Sequence, residues 1–196
     1  RSTLFPYTTL FRSRSVGSNI RIASVSNILE VMFALYKNKK YDVFKKYIIQ
    51  SLNCVIKQLA EKMALVRKNA GISFQKFFWD LRDYIGLEEY IPQYEELKNI
   101  IIKDIEFDDD DNVYSIKWVE PEFAYPKIMP IIELNQYSDS FIEGLIRSIA
   151  CISEDVHKAS LDELKKAIEK KGDNKKALIE KIYQVTLNIF KNYARS

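Results

Sequence analysis

The chain has 196 residues, 47% of them hydrophobic and 13% aromatic. That suffices for one domain or a slice of a repeat array, with on the order of 70% of the unfolded surface buried. Five Gly and five Pro are too few for the many tight turns of an all-β sandwich, and the two Cys too few for a disulfide framework.

Residues 1–13, RSTLFPYTTLFRS, read as a translated sequencing-adapter oligonucleotide. They are treated as an adapter-derived artefact outside the fold, leaving 14–196 as a C-terminal helical-repeat domain. The chain does not begin with Met and is expected to be a piece of something longer. Thirty basic residues stand against 27 acidic ones. Without Arg1 and Arg12 the basic count is 28 and the net charge +1. A near-neutral balance gives no reason to expect a nucleic-acid partner. No apolar run reaches the roughly 18 residues of a membrane span. Cys54 and Cys151 sit among apolar neighbours and are expected to be buried free thiols.

The first helix is expected over 19–36, capped by Ser18, with Ile22, Val25, Leu29, Met32 and Tyr36 on one face. Lys37-Asn38-Lys39-Lys40 is a solvated connection. A second helix over 41–62 carries Phe44, Ile48, Leu52, Val55, Leu59 and Met63, widened by Ile49, Ile56 and Ala60. A stripe that wide touches neighbours on two sides. A third, over 65–83, turns Val66, Ala70, Phe74, Phe77 and Leu81 inward. Phe77-Phe78-Trp79 cannot all face one way, so one of them meets another repeat or a partner. Gly71 lowers helix propensity by roughly 1 kcal/mol and fits close packing instead.

Gly86 and Pro92 mark a loop, followed by a short helix over 93–104. Asp108 to Asp111 repel one another and belong in solvent. Their spacing is not that of a calcium loop; the alternatives are a solvated connection and a weak acidic contact surface. Trp118 is expected to anchor an irregular stretch. A turn over 121–124, with Pro121 at a helix start, precedes a helix over 126–134. Ser138 is expected to cap a helix reaching Ile152, with Phe141, Leu145, Ile149 and Ile152 inward. A helix to Lys171 follows, with Val156, Leu161, Leu164 and Ile168 inward, and Gly172 stops it. The last helix, over 174–194, carries Leu178, Ile182, Val185, Ile189 and Tyr193.

Val66-Arg67 with Ala70 echoes Ile20-Arg21 with Ala23, and the two β-branched residues lie 46 positions apart. A period of about 40–47 residues with two or three helices per unit marks HEAT or armadillo arrays. The Ala lets helices approach closely, and the Arg can snorkel to a neighbouring turn. The fold class is therefore all-α: an α-solenoid of HEAT/armadillo-like helical hairpins, a fragment of a longer array. His157 is the one histidine; alone among Glu154, Asp155 and Lys158 it makes no metal site. No Gly-rich phosphate loop and no nucleophile elbow occur. Lysine pairs in 165–176 alternate with acids and read as solvated faces. No catalytic, cofactor-binding or metal site is expected.

Three segments, in order, resemble the C-terminal region of the tubulin-specific chaperone D family, also called tubulin-folding cofactor D. They are Val16-Gly17-Ser18-Asn19-Ile20-Arg21; Gln58 to Lys62 running into Val66-Arg67 and Ala70; and Trp118, Pro121, Ala124-Tyr125-Pro126-Lys127 with Tyr137, Gly144-Leu145 and Ser148. Lys127 stands where that family has Arg, and Ala150-Cys151 where it has a Gly pair. The resemblance implies a non-catalytic cytoplasmic, cytoskeleton-associated chaperone. It would bind β-tubulin, join cofactors E and C in assembling the tubulin heterodimer, promote GTP hydrolysis by tubulin, and associate with an Arf-like small GTPase. The residues that contact partners stay unknown. Two other readings remain: a generic HEAT-repeat adaptor of transport or phosphatase type, and a HEAT-like nucleic-acid-binding enzyme.

Overall fold

The computed structural model describes residues 6–102 and 116–193, with side chains described from Gly17 to Asn192 within those ranges. Among them are eight α-helices and no strand. The helices are α1 (Pro6–Lys37), α2 (Tyr41–Leu59), α3 (Ala64–Leu81), α4 (Tyr94–Ile102), α5 (Pro121–Ile128), α6 (Ser138–Ile149), α7 (Glu154–Lys170) and α8 (Lys175–Tyr193). Short 3-10 turns at Leu87–Glu89, Met129–Glu133 and Gly172–Asn174 link them. Asp108–Asp111 lie outside the described residues.

The architecture is an all-α solenoid of packed helical hairpins. α1 lies against α2 and α3, and α2 against α3 and α6. α6 then meets α7 and α8, while α5 packs on α7. α2 is the spine because its wide stripe has two neighbours to serve. Phe44, Ile48, Leu52, Val55, Ile56, Leu59 and Ala60 are all fully buried. Val25, Leu29, Met32 and Tyr36 close the core from α1, and Phe74, Phe77, Phe78 and Leu81 from α3. Each such side chain contributes about 1.5–3 kcal/mol by leaving water.

α1 ends where Lys39 takes a left-handed φ of 57°. The Lys40 N–H then donates to Leu35 O at 2.9 Å, and two otherwise open carbonyl positions are closed by the pair Lys39 and Lys40. Gly172 (φ 51°) stops α7, as its position in the sequence predicts.

Several expectations change. α1 begins at Pro6, so Ser18 is not its cap but a buried residue within the helix. Ala23 is exposed, so close approach through a small residue holds for the fully buried Ala70 and not for its echo. Pro126 lies inside α5, which starts at Pro121, and the segment expected to be helical to Leu134 ends as 3-10 turns. In an eight-residue helix few amides have an intrahelical acceptor, so one internal proline removes little. Ser138 is the first residue of α6 rather than its cap. Ile152 is fully exposed, because α6 ends at Ile149 and the chain turns before the stripe can continue. Cys54 is exposed and Cys151 half-buried, both free, so the pair are not the buried thiols expected.

Candidate partner-binding surface

The chemistry concentrates where α2 ends and α3 begins. A helix leaves its last carbonyls without intrahelical partners. Here side chains from three other helices meet them. Ser148 of α6 and Tyr125 of α5 both donate to Ala60 O, the tyrosine at 3.4 Å. Arg67 of α3 donates from Nη1 to Glu61 O at 2.6 Å.

Arg67 does more. Its Nε reaches Trp118 O and its Nη2 reaches Val119 O, each at 2.6 Å. One guanidinium thus ties the α2 terminus, the α3 start and the segment leading into α5. Its carbon lies 5.6 Å from the centroid of the Tyr125 ring. The residue is only 1% exposed, and burial pulls its pKa below the usual arginine value. A planar fork with five donors suits three carbonyls in a way that an ammonium does not. The expectation of a snorkelling arginine holds for Arg21 instead. Half-exposed, Arg21 pairs with Glu61 at 2.8 Å.

Trp118 is anchored as expected. Its indole lies against Gly71 of α3, so close that a Cβ there would stand 2.1 Å from two ring carbons. Its Nε1 donates to Gln75 Oε1 at 3.0 Å, and Gln75 Nε2 donates to Ile101 O of α4 at 3.3 Å. Gly144 plays the matching part between α2 and α6. A Cβ on it would stand 2.5 Å from Lys57 O. The one-turn spacing of Gly144 and Ser148 was the local signal for this seam, since both small residues share a helix face.

Beside this seam opens a groove of about 740 Å3 between the middle of α1 and the ends of α2, α6 and α8. Arg21, Lys57, Lys62 and Arg147 border it, Ile146, Ile189 and Phe190 give it apolar wall, and Gln58 lies within. Glu143 Oε1 accepts from Lys57 at 3.4 Å and from Arg147 at 2.7 Å. Phe190 continues into an exposed apolar row on α8 with Ile179 and Tyr183. Nothing in the sequence picks out this groove, because its walls come from four helices spread along the chain from Arg21 to Phe190.

The other sequence candidates have structural roles. Phe77 and Phe78 are both buried within the solenoid. Trp79 is half-buried, with the Arg82 guanidinium 3.9 Å from its ring centroid. His157 is exposed, and its Nδ1 lies 2.5 Å from Ile149 O, which ties α7 to the end of α6. Among the described residues no cluster of His, Cys, Asp or Glu could hold a metal. No described helix is long and apolar enough to cross a membrane.

Fold and surface together define an all-α helical-repeat protein with a groove between its helices. The model of the family described as Tubulin folding cofactor D C terminal matches residues 49–196. The chain belongs to this family, and its role lies in tubulin folding. The matched region contains the second and third of the segments that carried the resemblance; Val16 to Arg21 lies before it. No curated protein and no solved structure matches the chain significantly.

Proposed function

We propose that this chain forms part of a tubulin-folding cofactor that binds β-tubulin and assists assembly of the α/β heterodimer. In this reading it works with cofactors E and C and an Arf-like small GTPase, in the cytoplasm and at the cytoskeleton. The observation that carries the reading is the family match over residues 49–196. The solenoid supports it, since stacked helical pairs present extended surfaces to other proteins. The chain is not an enzyme in this proposal: GTP hydrolysis is performed by tubulin, and the chain stimulates it by contact. Pull-down with the tagged full-length parent protein tests it. Co-capture of β-tubulin and cofactor E is expected; capture of neither overturns the proposal.

A further inference from the structure

Behind the wall of the groove between α2, α6 and α8 lies an unexplained atom. Gln58 Oε1 is buried and has no hydrogen-bond partner. An unsatisfied buried acceptor costs about 1–3 kcal/mol, and well-formed interiors rarely keep one. Gln58 lines the groove, and a half-turn of its amide would bring this closed-off oxygen to the groove surface, where an arriving donor could satisfy it.

The surrounding charge says what kind of molecule would bring that donor. Four cations border the groove: Arg21, Lys57, Lys62 and Arg147. Two carboxylates answer them, Glu61 on Arg21 and Glu143 shared by Lys57 and Arg147. The rim is therefore cationic in excess, while Ile146, Ile189 and Phe190 supply an apolar wall.

We infer that this groove docks an extended acidic peptide segment of a partner protein. The Gln58 amide would turn into the groove, and its Oε1 would accept from a backbone N–H of the segment. Its carboxylates would face Lys57, Lys62 and Arg147, and one apolar side chain would lie against Phe190. An extended segment fits because it presents free N–H groups, which a helix spends internally. The two carboxylates and the apolar wall favour a peptide over a phosphate backbone. The inference does not depend on which protein supplies the segment, and so stands apart from the tubulin reading.

Fluorescence anisotropy with the full chain tests it. The probe is a short fluorescein-labelled peptide of alternating glutamate and leucine; lysine-leucine and single-stranded oligonucleotide probes serve as controls. The acidic peptide is expected to bind and to weaken with salt. Lys62→Glu with Arg147→Glu is expected to weaken it by about tenfold or more. Gln58→Met is the sharper variant. It removes the orphaned acceptor, so thermal stability should hold or rise, while affinity drops about fivefold, one hydrogen bond's worth. A role in packing alone would leave affinity unchanged. No binding by the acidic peptide, tighter binding of either control, or full affinity in both variants overturns the inference. Lys62→Glu alone, at an exposed site, replaces the double variant if that one fails to fold, and an unchanged affinity there counts equally against it.

Discussion

Replacing Arg67 with Met keeps the apolar stem of the side chain and deletes its fork. Three carbonyls then lose a charged donor: those of Glu61, Trp118 and Val119. Each such bond is worth about 1.5–3 kcal/mol. Part of that returns. The bonds to Glu61 and Val119 are only partly buried, so water can reach those oxygens. The variant also escapes the desolvation of a buried guanidinium, which offsets several kcal/mol more. The Trp118 carbonyl, in a buried bond, gains no replacement. The net loss is expected near 3 kcal/mol, a fall in Tm of roughly 6–12 °C for a domain of this size. Arg67→Lys separates charge from geometry. An ammonium retains the desolvation cost yet cannot span three oxygens, so it should be no more stable than Met. Urea unfolding followed by circular dichroism measures both. A Met variant within about 1 kcal/mol of wild type, or a Lys variant equal to wild type, would refute the assignment of Arg67 as a three-way clamp.

Three further outcomes follow from the same contacts. Arg21→Gln, at the echoed position, should cost less than about 1 kcal/mol, because its pair with Glu61 is partly exposed; a loss as large as that at Arg67 in urea titration would undo the contrast. Gly71→Ala and Gly144→Ala should each destabilise by about 1–3 kcal/mol despite alanine's better helix propensity, since the new methyl meets the Trp118 indole or Lys57 O; unchanged midpoints would show that these seams are loose. Burial raises the phenols of Tyr94 and Tyr137, which donate to Leu81 O at 3.2 Å and Pro92 O at 2.9 Å. The folded state therefore holds these protons more tightly than the unfolded one. Their contribution is complete below about pH 10 and is lost as pH rises toward the folded values. Urea midpoints should fall above pH 10, and less steeply in Tyr137→Phe; equal slopes in the two proteins would exclude Tyr137 as a source.

The buried stripes were legible because apolar spacing of three and four residues is a local property, and α2, α3 and α8 follow it closely. Arg67 was singled out by its neighbours Val66 and Ala70, but its role was not. Arg21 and Arg67 share a local pattern and differ in burial because Trp118 and Val119 cover only the second. That cover arrives from about 50 residues away, where no periodicity reports it. Ile152 failed for the opposite reason: the period ran on in sequence after the helix had ended. Cys54 has apolar neighbours along the chain but stands on the outer face of α2, at helical spacing from the exposed Val43, Tyr47 and Gln50. The groove was invisible because Gln58, Arg147 and Phe190 meet only after three helices have stacked.

The α2 terminus joins the early helices of the stack to the later ones. Helix ends are weak points, since their carbonyls must find donors outside the helix. Here α3, α5 and α6 each supply one, so the hairpin of α1 and α2 and the later helices share a single polar joint. Separating the halves would strand Ala60 O, Glu61 O and a buried guanidinium together, a penalty that apolar packing alone would not impose. The groove is built on the same joint: Gln58 and Glu61 at the end of α2 and Gly144 and Ser148 on α6 belong to both. A segment bound there would rest on backbone that the clamp already holds, and little ordering of the site would be charged against its affinity. Loosening the clamp should thus reach the groove: Arg67→Met, at a temperature where it remains folded, is expected to weaken the glutamate-leucine peptide even though Arg67 does not line the site. Equal affinity in that variant would mean that the joint and the groove are mechanically separate.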